Sequence, residues 1–364
     1  MRRVLASERD QDATAAKPNR RRPRGAGGLP PVYARRHYLT VLAVLAVIAL
    51  AGAANSGDMY QVSVFNNAMT VSVAAIGLYF AFQLGGMFAF SQAAFMGIGA
   101  YTSAILTPEH GFVFAAGVAL IVAAVLAYLL AFLLRNAKHM YFAIGAMAFA
   151  EIVVLVLRNW EVTAGPTGGG NLYGIAPPSV AGYEFPLPGD IFWFLLAVLA
   201  LVLLLSVLLE RSPLRRHSLA VKAIPQVTES NGIDPRRSAM TLFTYGSTLG
   251  ALAGVLQAHS LGTIAPESFE VGVSINLFLM LLLGGAGSLW GGVAGAFFLT
   301  WLPEFLRPVK EYETVVYSLL LLATIVLFPD GIVGGIAWLA ERVRRWTGRG
   351  GKGRGGKGRA ADHA

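Results

Sequence analysis

The chain has 364 residues, of which 55% are hydrophobic and only 13% are charged, a composition that excludes an ordinary water-soluble domain. It contains no cysteine, which excludes a disulfide framework and a thiolate metal site. Twenty-six of the 29 Lys and Arg residues lie in four segments, 1–38, 135–138, 211–237 and 341–364. This pattern is typical of cytoplasmic loops between membrane spans, and we expect no nucleic-acid partner for the net charge of +9.

In chain order, residues 1–38 form a basic leader that is poor in apolar residues and is expected to be disordered in the cytoplasm. The small residues Ala51, Gly52 and Ala53 resemble a signal-peptide cleavage site. Because the leader is long for a signal peptide and many apolar stretches follow, we expect an uncleaved membrane anchor instead.

Long apolar blocks follow, and most approach the roughly 20 residues that a helix needs to cross a bilayer. They run continuously apolar, whereas the strands of a membrane barrel alternate apolar with polar residues. The sequence predicts an all-α, polytopic membrane helix bundle of about ten membrane segments, some of them broken or re-entrant. The membrane domain covers 39–340, with clear spans near 39–54, 112–134, 140–158, 190–209, 238–262 and 314–334.

Two further apolar regions, 61–106 and 272–302, are rich in glycine and must each leave from and return to the outer side. The second has too few residues for two full crossings. Such paired, glycine-interrupted segments are typical of broken helices that line a path through the membrane. The same glycines also permit close helix packing. Both interpretations stay open for the glycines concerned, which are Gly97, Gly99, Gly284 and Gly285.

The loop at 159–189 is expected on the outer face and carries a Gly/Pro/Thr-rich stretch at 165–170. Backbone amides near Thr167 and Gly168 are candidates for binding a carboxylate. The alternative is a turn-rich cap without a ligand.

No enzyme signature is present. The stretch 351–357 is similar to a nucleotide-binding P-loop, but Gly358 occupies the required Ser/Thr position and the basic, Gly-rich tail at 341–364 is expected to be solvated and cytoplasmic. The six histidines lack metal-ligand spacing. We therefore expect no catalytic residue, no metal and no cofactor.

Glu151 is an acid well inside a clear span. An ionisable side chain costs about 2.5 kcal/mol or more at that depth and normally faces a bundle interior or an aqueous cavity. Arg158 lies two turns away on the same face. The alternative to a functional Glu151 is therefore a structural ion pair, made with Arg158 through water or a neighbouring helix.

The segment 210–237 is short, basic and interrupted by prolines. It is expected either to present a short helix to a soluble cytoplasmic partner or to be a plain basic loop between spans.

Four stretches together are similar to one family, the LivM-like permeases of branched-chain amino-acid ABC transporters. They are SQAAFMGIGAY at 91–101, YFAIGAMAFAE at 141–151, AHSLGTIAPESF at 258–269 and MLLLGGAGSLWGGVAG at 280–295. With the outer loop they cover nearly all of 77–335.

The resemblance implies a second related permease, two cytoplasmic ATP-binding subunits and an external substrate-binding protein as partners. It also implies that 211–232 is the coupling loop that docks an ATPase, with Arg215, Lys222, Glu229 and Gly232 as candidate contacts. The family usually has an acidic-Ala-Ala-like run a few residues before a Gly-Ile, whereas the stretch 223–233 of this chain reads AIPQVTESNGI and is about three residues shorter, with Glu229 and Gly232 retained. That departure affects the coupling geometry.

On the substrate path, the resemblance adds Gln92 to the candidates Gly97, Gly99, Glu151, Thr167, Gly168, Gly284 and Gly285. Asn276 joins them because it stands where an acid is common in the family. The substitution is expected to alter the path or its substrate.

The function expected is that of a permease subunit in the plasma or inner membrane, with both termini cytoplasmic, which moves branched-chain amino acids inward by alternating access. Urea and short amides are the alternative substrates. A proton-coupled secondary transporter that uses Glu151 is the main rival, and a membrane-embedded enzyme is a remote one.

Overall fold

The structure is a computed structural model that describes residues 31–306 except 56, 138, 165–168, 181 and 224–233. The chain divides into two compact units, 1–43 and 44–364. Of the first unit, the structure describes 31–43, which are the opening turns of helix α1. The rest of the described chain belongs to the second unit.

Eleven α-helices make up most of the described chain, and each apolar one satisfies its own backbone hydrogen bonds, as a lipid environment requires. Their bounds are α1 Pro31–Ala54, α2 Met59–Tyr79, α3 Gln92–His110, α4 Phe112–Leu133, α5 His139–Asn159, α6 Glu161–Ala164, α7 Pro188–Arg211, α8 Pro213–Ala223, α9 Pro235–Leu261, α10 Val271–Gly284 and α11 Leu289–Leu306. A π-helical turn, Phe80–Leu84, prolongs α2, and a 3₁₀ turn, Pro266–Phe269, precedes α10.

Four two-residue strands form two small antiparallel ladders: β1 Leu172–Tyr173 with β4 Thr263–Ile264, and β2 Ser179–Val180 with β3 Tyr183–Glu184. We call the end of the bundle that carries these strands the strand end. The opposite end carries α8 and is called the α8 end.

The expected helical membrane bundle is confirmed. Six described helices are long and apolar enough to cross a membrane: Met59–Leu84, Phe112–Leu133, Met140–Asn159, Pro188–Arg211, Pro235–Leu261 and Leu289–Leu306. The total of about ten segments stays a prediction, since the expected span at 314–334 lies outside the described residues. Helix α1 begins at Pro31, earlier than the span expected at 39, so 31–38 are helical where the leader was expected to be disordered. Residues 1–30 and 341–364 lie outside the described chain.

Helix α9 occupies the centre of the bundle and packs on α2, α3 and α4. Its crossing with α3 is close because both helices present glycine there. A Cβ on Gly99 would overlap the carbonyl of Ala251, and a Cβ on Gly254 would overlap that of Met96. Small residues at a helix crossing let two backbones approach, which is how membrane helices gain packing energy without a hydrophobic driving force.

Both glycine-rich regions return to the end at which they begin. In the first, α2 descends from the strand end, the chain breaks at 85–91, and α3 rises again from mid-depth. In the second, α10 and α11 form a hairpin that turns at Gly285, where φ is +112°. Helix α10 has 14 residues, about 21 Å at 1.5 Å per residue, and is too short to cross a ~30 Å hydrocarbon core.

Candidate functional site

A strip of exposed polar side chains runs along α5, the 3₁₀ turn and α10, on one side of an otherwise apolar surface. We call it the polar strip, and its members are Glu151, Arg158, Glu267, Glu270 and Asn276. Helices α5 and α10 come together here because both pack on α3. Two of the path residues predicted from the sequence, Glu151 and Asn276, are thus exposed on two helices that pack on each other.

Helix α5 buries one face on α3 and leaves the other open. Phe142, Ala146 and Ala150 are buried at a spacing of four residues, while Ile144 and Ile152 are 62% and 59% exposed. This pattern is the 3.6-residue period of a helix that packs on one side only. Glu151 lies on the open face, so its carboxylate points away from the interior of this chain rather than into it.

Among the described residues, no direct ion pair joins Glu151 to Arg158. Arg158 instead donates to Glu267 at 3.0 Å and to Glu270 at 3.4 Å, across more than 100 residues of sequence. Within the described part of the chain, Glu151 has neither a hydrogen-bond nor an ion-pair partner. An unpaired carboxylate thus stands on an exposed, apolar helix face.

Helix α10 is anchored by a residue that the sequence did not single out. Ser274 is fully buried, and its hydroxyl accepts a hydrogen bond of 2.9 Å from the backbone N–H of Ala93, in the first turn of α3. This serine serves α3 as a cap supplied by another helix. It holds α10 so that Asn276, two residues further on, is exposed on the opposite side.

Gln92 lies away from the polar strip, in the centre of the bundle. Its side-chain amide donates 3.1 Å hydrogen bonds to the carbonyls of Ala74 in α2 and Gly246 in α9. The side chain is 0% exposed. In this structure Gln92 ties three helices together where they cross.

Three of the glycine candidates, Gly97, Gly99 and Gly284, are sites of close contact. A Cβ on Gly97 would meet Leu157 at 3.0 Å and Phe269 at 3.1 Å. A Cβ on Gly284 would overlap the carbonyl of Gly291 inside the α10–α11 hairpin. Close packing thus accounts for Gly97, Gly99 and Gly284, and the positive φ accounts for Gly285.

The loop after α5 is held down on the bundle at the strand end. The Tyr101 hydroxyl donates to the carbonyl of Gly170 at 2.5 Å, and Ile175 N–H donates to the carbonyl of Gly262 at 3.0 Å. His259 is buried and lies 2.7 Å from the carbonyl of Ala176 through Nδ1. The expected carboxylate-binding residues Thr167 and Gly168 lie outside the described residues.

Helix α8 occupies the segment in which a coupling helix was expected. Arg215 is half-buried, and its Nε has no hydrogen-bond partner among the described residues. Lys222 belongs to α8, but its side chain lies outside the described part, as do Glu229 and Gly232 entirely. The helix itself follows α7 after a single residue, Ser212, which turns the chain.

Around 85–91, four half-buried phenylalanines gather that sequence reasoning did not single out. Their ring centroids are 4.8 Å apart for Phe82 and Phe278, 5.0 Å for Phe82 and Phe88, and 5.5 Å for Phe90 and Phe278. The only sequence signal was their number within a glycine-broken segment. In an apolar chain that signal does not separate this cluster from ordinary membrane-facing phenylalanines.

Comparison with known proteins identifies the family of this chain. The family model for the branched-chain amino acid transport system permease component matches residues 60–329. The chain belongs to this family.

Among its relatives, the high-affinity branched-chain amino acid transport system permease protein LivM of Escherichia coli K12 is 31% identical over 291 residues, which are 73% of this chain and 68% of that protein. The permease protein LivH of the same transport system in E. coli K12 is 30% identical over 137 residues, 36% of this chain and 44% of LivH. The autoinducer 2 import system permease protein LsrC of Enterobacter sp. 638 is 30% identical over 170 residues, 44% of this chain and 49% of LsrC.

No solved structure matches the chain significantly. Family members are membrane permeases of transport systems and not enzymes in themselves. Together with the six apolar helices, this membership makes the chain a multi-pass membrane protein.

Proposed function

We propose that this protein is a permease subunit of an ABC importer that moves branched-chain amino acids into the cell, with ATP hydrolysed by partner subunits. The observation that carries the proposal is the similarity to LivM over nearly three quarters of the chain. The partial similarity to LivH supports a pair of related permeases. On this proposal the strand end faces outward, both termini are cytoplasmic, and an external binding protein delivers the substrate.

The polar strip is the proposed wall of the substrate path. An ionised carboxylate on a helix face in contact with lipid costs about 2.5 kcal/mol or more, and Glu151 has no described partner that would offset this cost. A water-filled path between this permease and the second one removes the cost, because water solvates the carboxylate. Asn276 on the adjoining helix adds a neutral hydrogen-bonding group to the same wall.

Helix α8 is the proposed contact for one of the two ATPase subunits. It is short, carries Arg215, Arg216 and His217, and lies between two apolar helices at the end opposite to the strands. ATP can favour one conformation of the permease only through a contact that differs between conformations. A short helix that projects between two spans provides such a contact.

The test is uptake of labelled leucine by liposomes that contain the purified permeases, the ATPases and the binding protein, with isoleucine, valine, urea and short amides as competitors. The proposal predicts uptake that requires ATP and is reduced by isoleucine and valine. Competition by urea or amides alone would assign the alternative substrates. Uptake by this chain alone, driven by a proton gradient and indifferent to ATP, would establish the secondary transporter instead.

A different import substrate is favoured by one observation. LsrC, named for autoinducer 2 import, shares 30% identity over 44% of this chain. The same assay distinguishes this case, because a permease for autoinducer 2 would take up no labelled leucine.

A further inference from the structure

The end of α2 is tied to α8 by one side-chain hydrogen bond and to the end of α7 by another. The buried Ser218 of α8 donates its hydroxyl to the carbonyl of Leu84, the last residue of the π-helical turn. Tyr79, one turn earlier on α2, donates to Glu210 at the end of α7 at 2.5 Å. The last carbonyls of a helix have no hydrogen-bond partner within that helix. Here the carbonyl of Leu84 accepts a hydrogen bond from α8, the helix proposed to contact the ATPase.

The segment that follows Leu84 has an irregular backbone conformation. Its hydrogen bonds are irregular: Gly85 N–H bonds to the carbonyl of Phe80 at 2.8 Å, and Met87 N–H to that of Ala81 at 3.1 Å. Gly86 has a φ of +71°, a conformation that a residue with a side chain rarely adopts. Single π-helical turns are frequent at functional sites, and here one ends α2 directly before the break.

A cavity lies beside the segment that follows Leu84. Its volume is about 610 Å³, and Met87 and Phe88 line one wall while Ser218 and Arg236 line others. Packed interiors resist displacement because they contain few voids. A segment beside an open cavity moves without displacing packed side chains.

The phenylalanine cluster connects this segment to the polar strip. Phe82 and Phe88 belong to the π-helical turn and the segment after it, and both contact Phe278 of α10. Asn276 of the polar strip is two residues from Phe278 on the same helix. A displacement of Leu84 is thus passed through aromatic contacts to a helix of the path wall.

We infer that Ser218 is the positioning residue that transmits a displacement of α8 to the break at 85–91 and, through the phenylalanine cluster, to α10. The inference rests on the proposed function, since it takes α8 as the helix that the ATPase moves. Ser218 touches no substrate. Its role is to make α8 and the end of α2 move as one body.

The first arm of the test uses the full-length chain in membranes and does not depend on ATP. Met87→Cys introduces the only thiol in a chain without cysteine, and its labelling rate with a maleimide reports opening of the break. Ser218→Ala is expected to raise the rate about fivefold, the effect of losing one ordinary hydrogen bond on an opening equilibrium. Ser218→Thr keeps the hydroxyl and is expected to restore the wild-type rate.

Ser72→Ala is the matched control. Ser72 is also a fully buried serine that donates to a backbone carbonyl, that of Ala68, but within α2 itself and away from α8. It is expected to leave the labelling rate unchanged. An unchanged rate in Ser218→Ala overturns the inference, whatever energy source drives transport.

The second arm measures molecules transported per ATP hydrolysed in the assembled complex, normalised to its amount. Ser218→Ala is expected to lower this ratio several-fold, while Ser218→Thr and Ser72→Ala keep it. If labelling rises but the ratio stays at the wild-type value, Ser218 is only a helix cap and the inference is wrong. If the wild-type complex transports without ATP, the proposed function fails, and the labelling arm still decides whether Ser218 holds the break.

Discussion

Replacement of Glu151 by leucine tests whether the polar strip faces lipid or a water-filled path, because the two environments predict different effects on stability. Glu151 is the thirteenth of 21 residues in α5, which places it about 3 Å from the midpoint of the helix. At that depth an ionised side chain costs about 2.5 to 3.5 kcal/mol, and a leucine gains about 0.3 to 0.6 kcal/mol.

If Glu151 faced lipid in the assembled complex, Glu151→Leu would stabilise it by about 3 kcal/mol, roughly a hundredfold in the ratio of folded to unfolded protein. We expect a gain below about 1 kcal/mol, because on the proposed path water already solvates the carboxylate. Uptake should fall by about tenfold or more, and Glu151→Gln should lower it similarly, because a contact to a charged group is worth about 1.5 to 3 kcal/mol.

The measurements are the free energy of unfolding of the complex in lipid nanodiscs and uptake per amount of folded complex. Ile152→Leu, at the next exposed position of α5, is the control and should change neither quantity. A Glu151→Leu complex that is stabilised by the full 3 kcal/mol predicted for lipid contact, and that transports at the wild-type rate, would refute the placement of the path along α5. Failure of Glu151→Gln to accumulate, with normal transport by the protein that does fold, would make Glu151 a structural residue.

Three other predictions concern orientation and packing. A cysteine at Thr167 should react with an impermeant maleimide in intact cells, because the proposal places the 159–189 loop outside; reaction only after permeabilisation would reverse the topology. Gly99→Val should destabilise the protein by about 3 kcal/mol or more, since the new side chain overlaps a backbone carbonyl. Gly117→Val is the control and should accumulate normally, because a Cβ atom at Gly117 would have no atom within 4 Å. Tyr79→Phe should lower the free energy of unfolding by about 1.5 to 3 kcal/mol, because it leaves the partly buried carboxylate of Glu210 without the hydroxyl that donates to it. Tyr60→Phe removes an equally short but exposed hydrogen bond to Glu304 and should cost less than about 1 kcal/mol. Equal losses in the two variants would contradict the effect of burial.

Much of the architecture could be predicted because it depends on local composition. Apolar blocks near 20 residues define spans wherever they occur, since the bilayer sets their length. The basic segments predict a topology because Lys and Arg residues are enriched in cytoplasmic loops. The family could be recognised because its motifs are contiguous stretches, such as 91–101 and 280–295, that need no knowledge of the fold.

The sequence alone therefore determined the class of the protein, its helices and its family. Only the tertiary structure decided which face of each helix meets which neighbour. In a membrane helix the lipid-facing and protein-facing sides are both apolar, so the hydrophobic period that identifies the buried face of a soluble helix is weak. For this reason the sequence left an ion pair of Glu151 with Arg158 open as an alternative, whereas the fold brings Arg158 to Glu267 and Glu270. The fold also places Gln92 in the buried core.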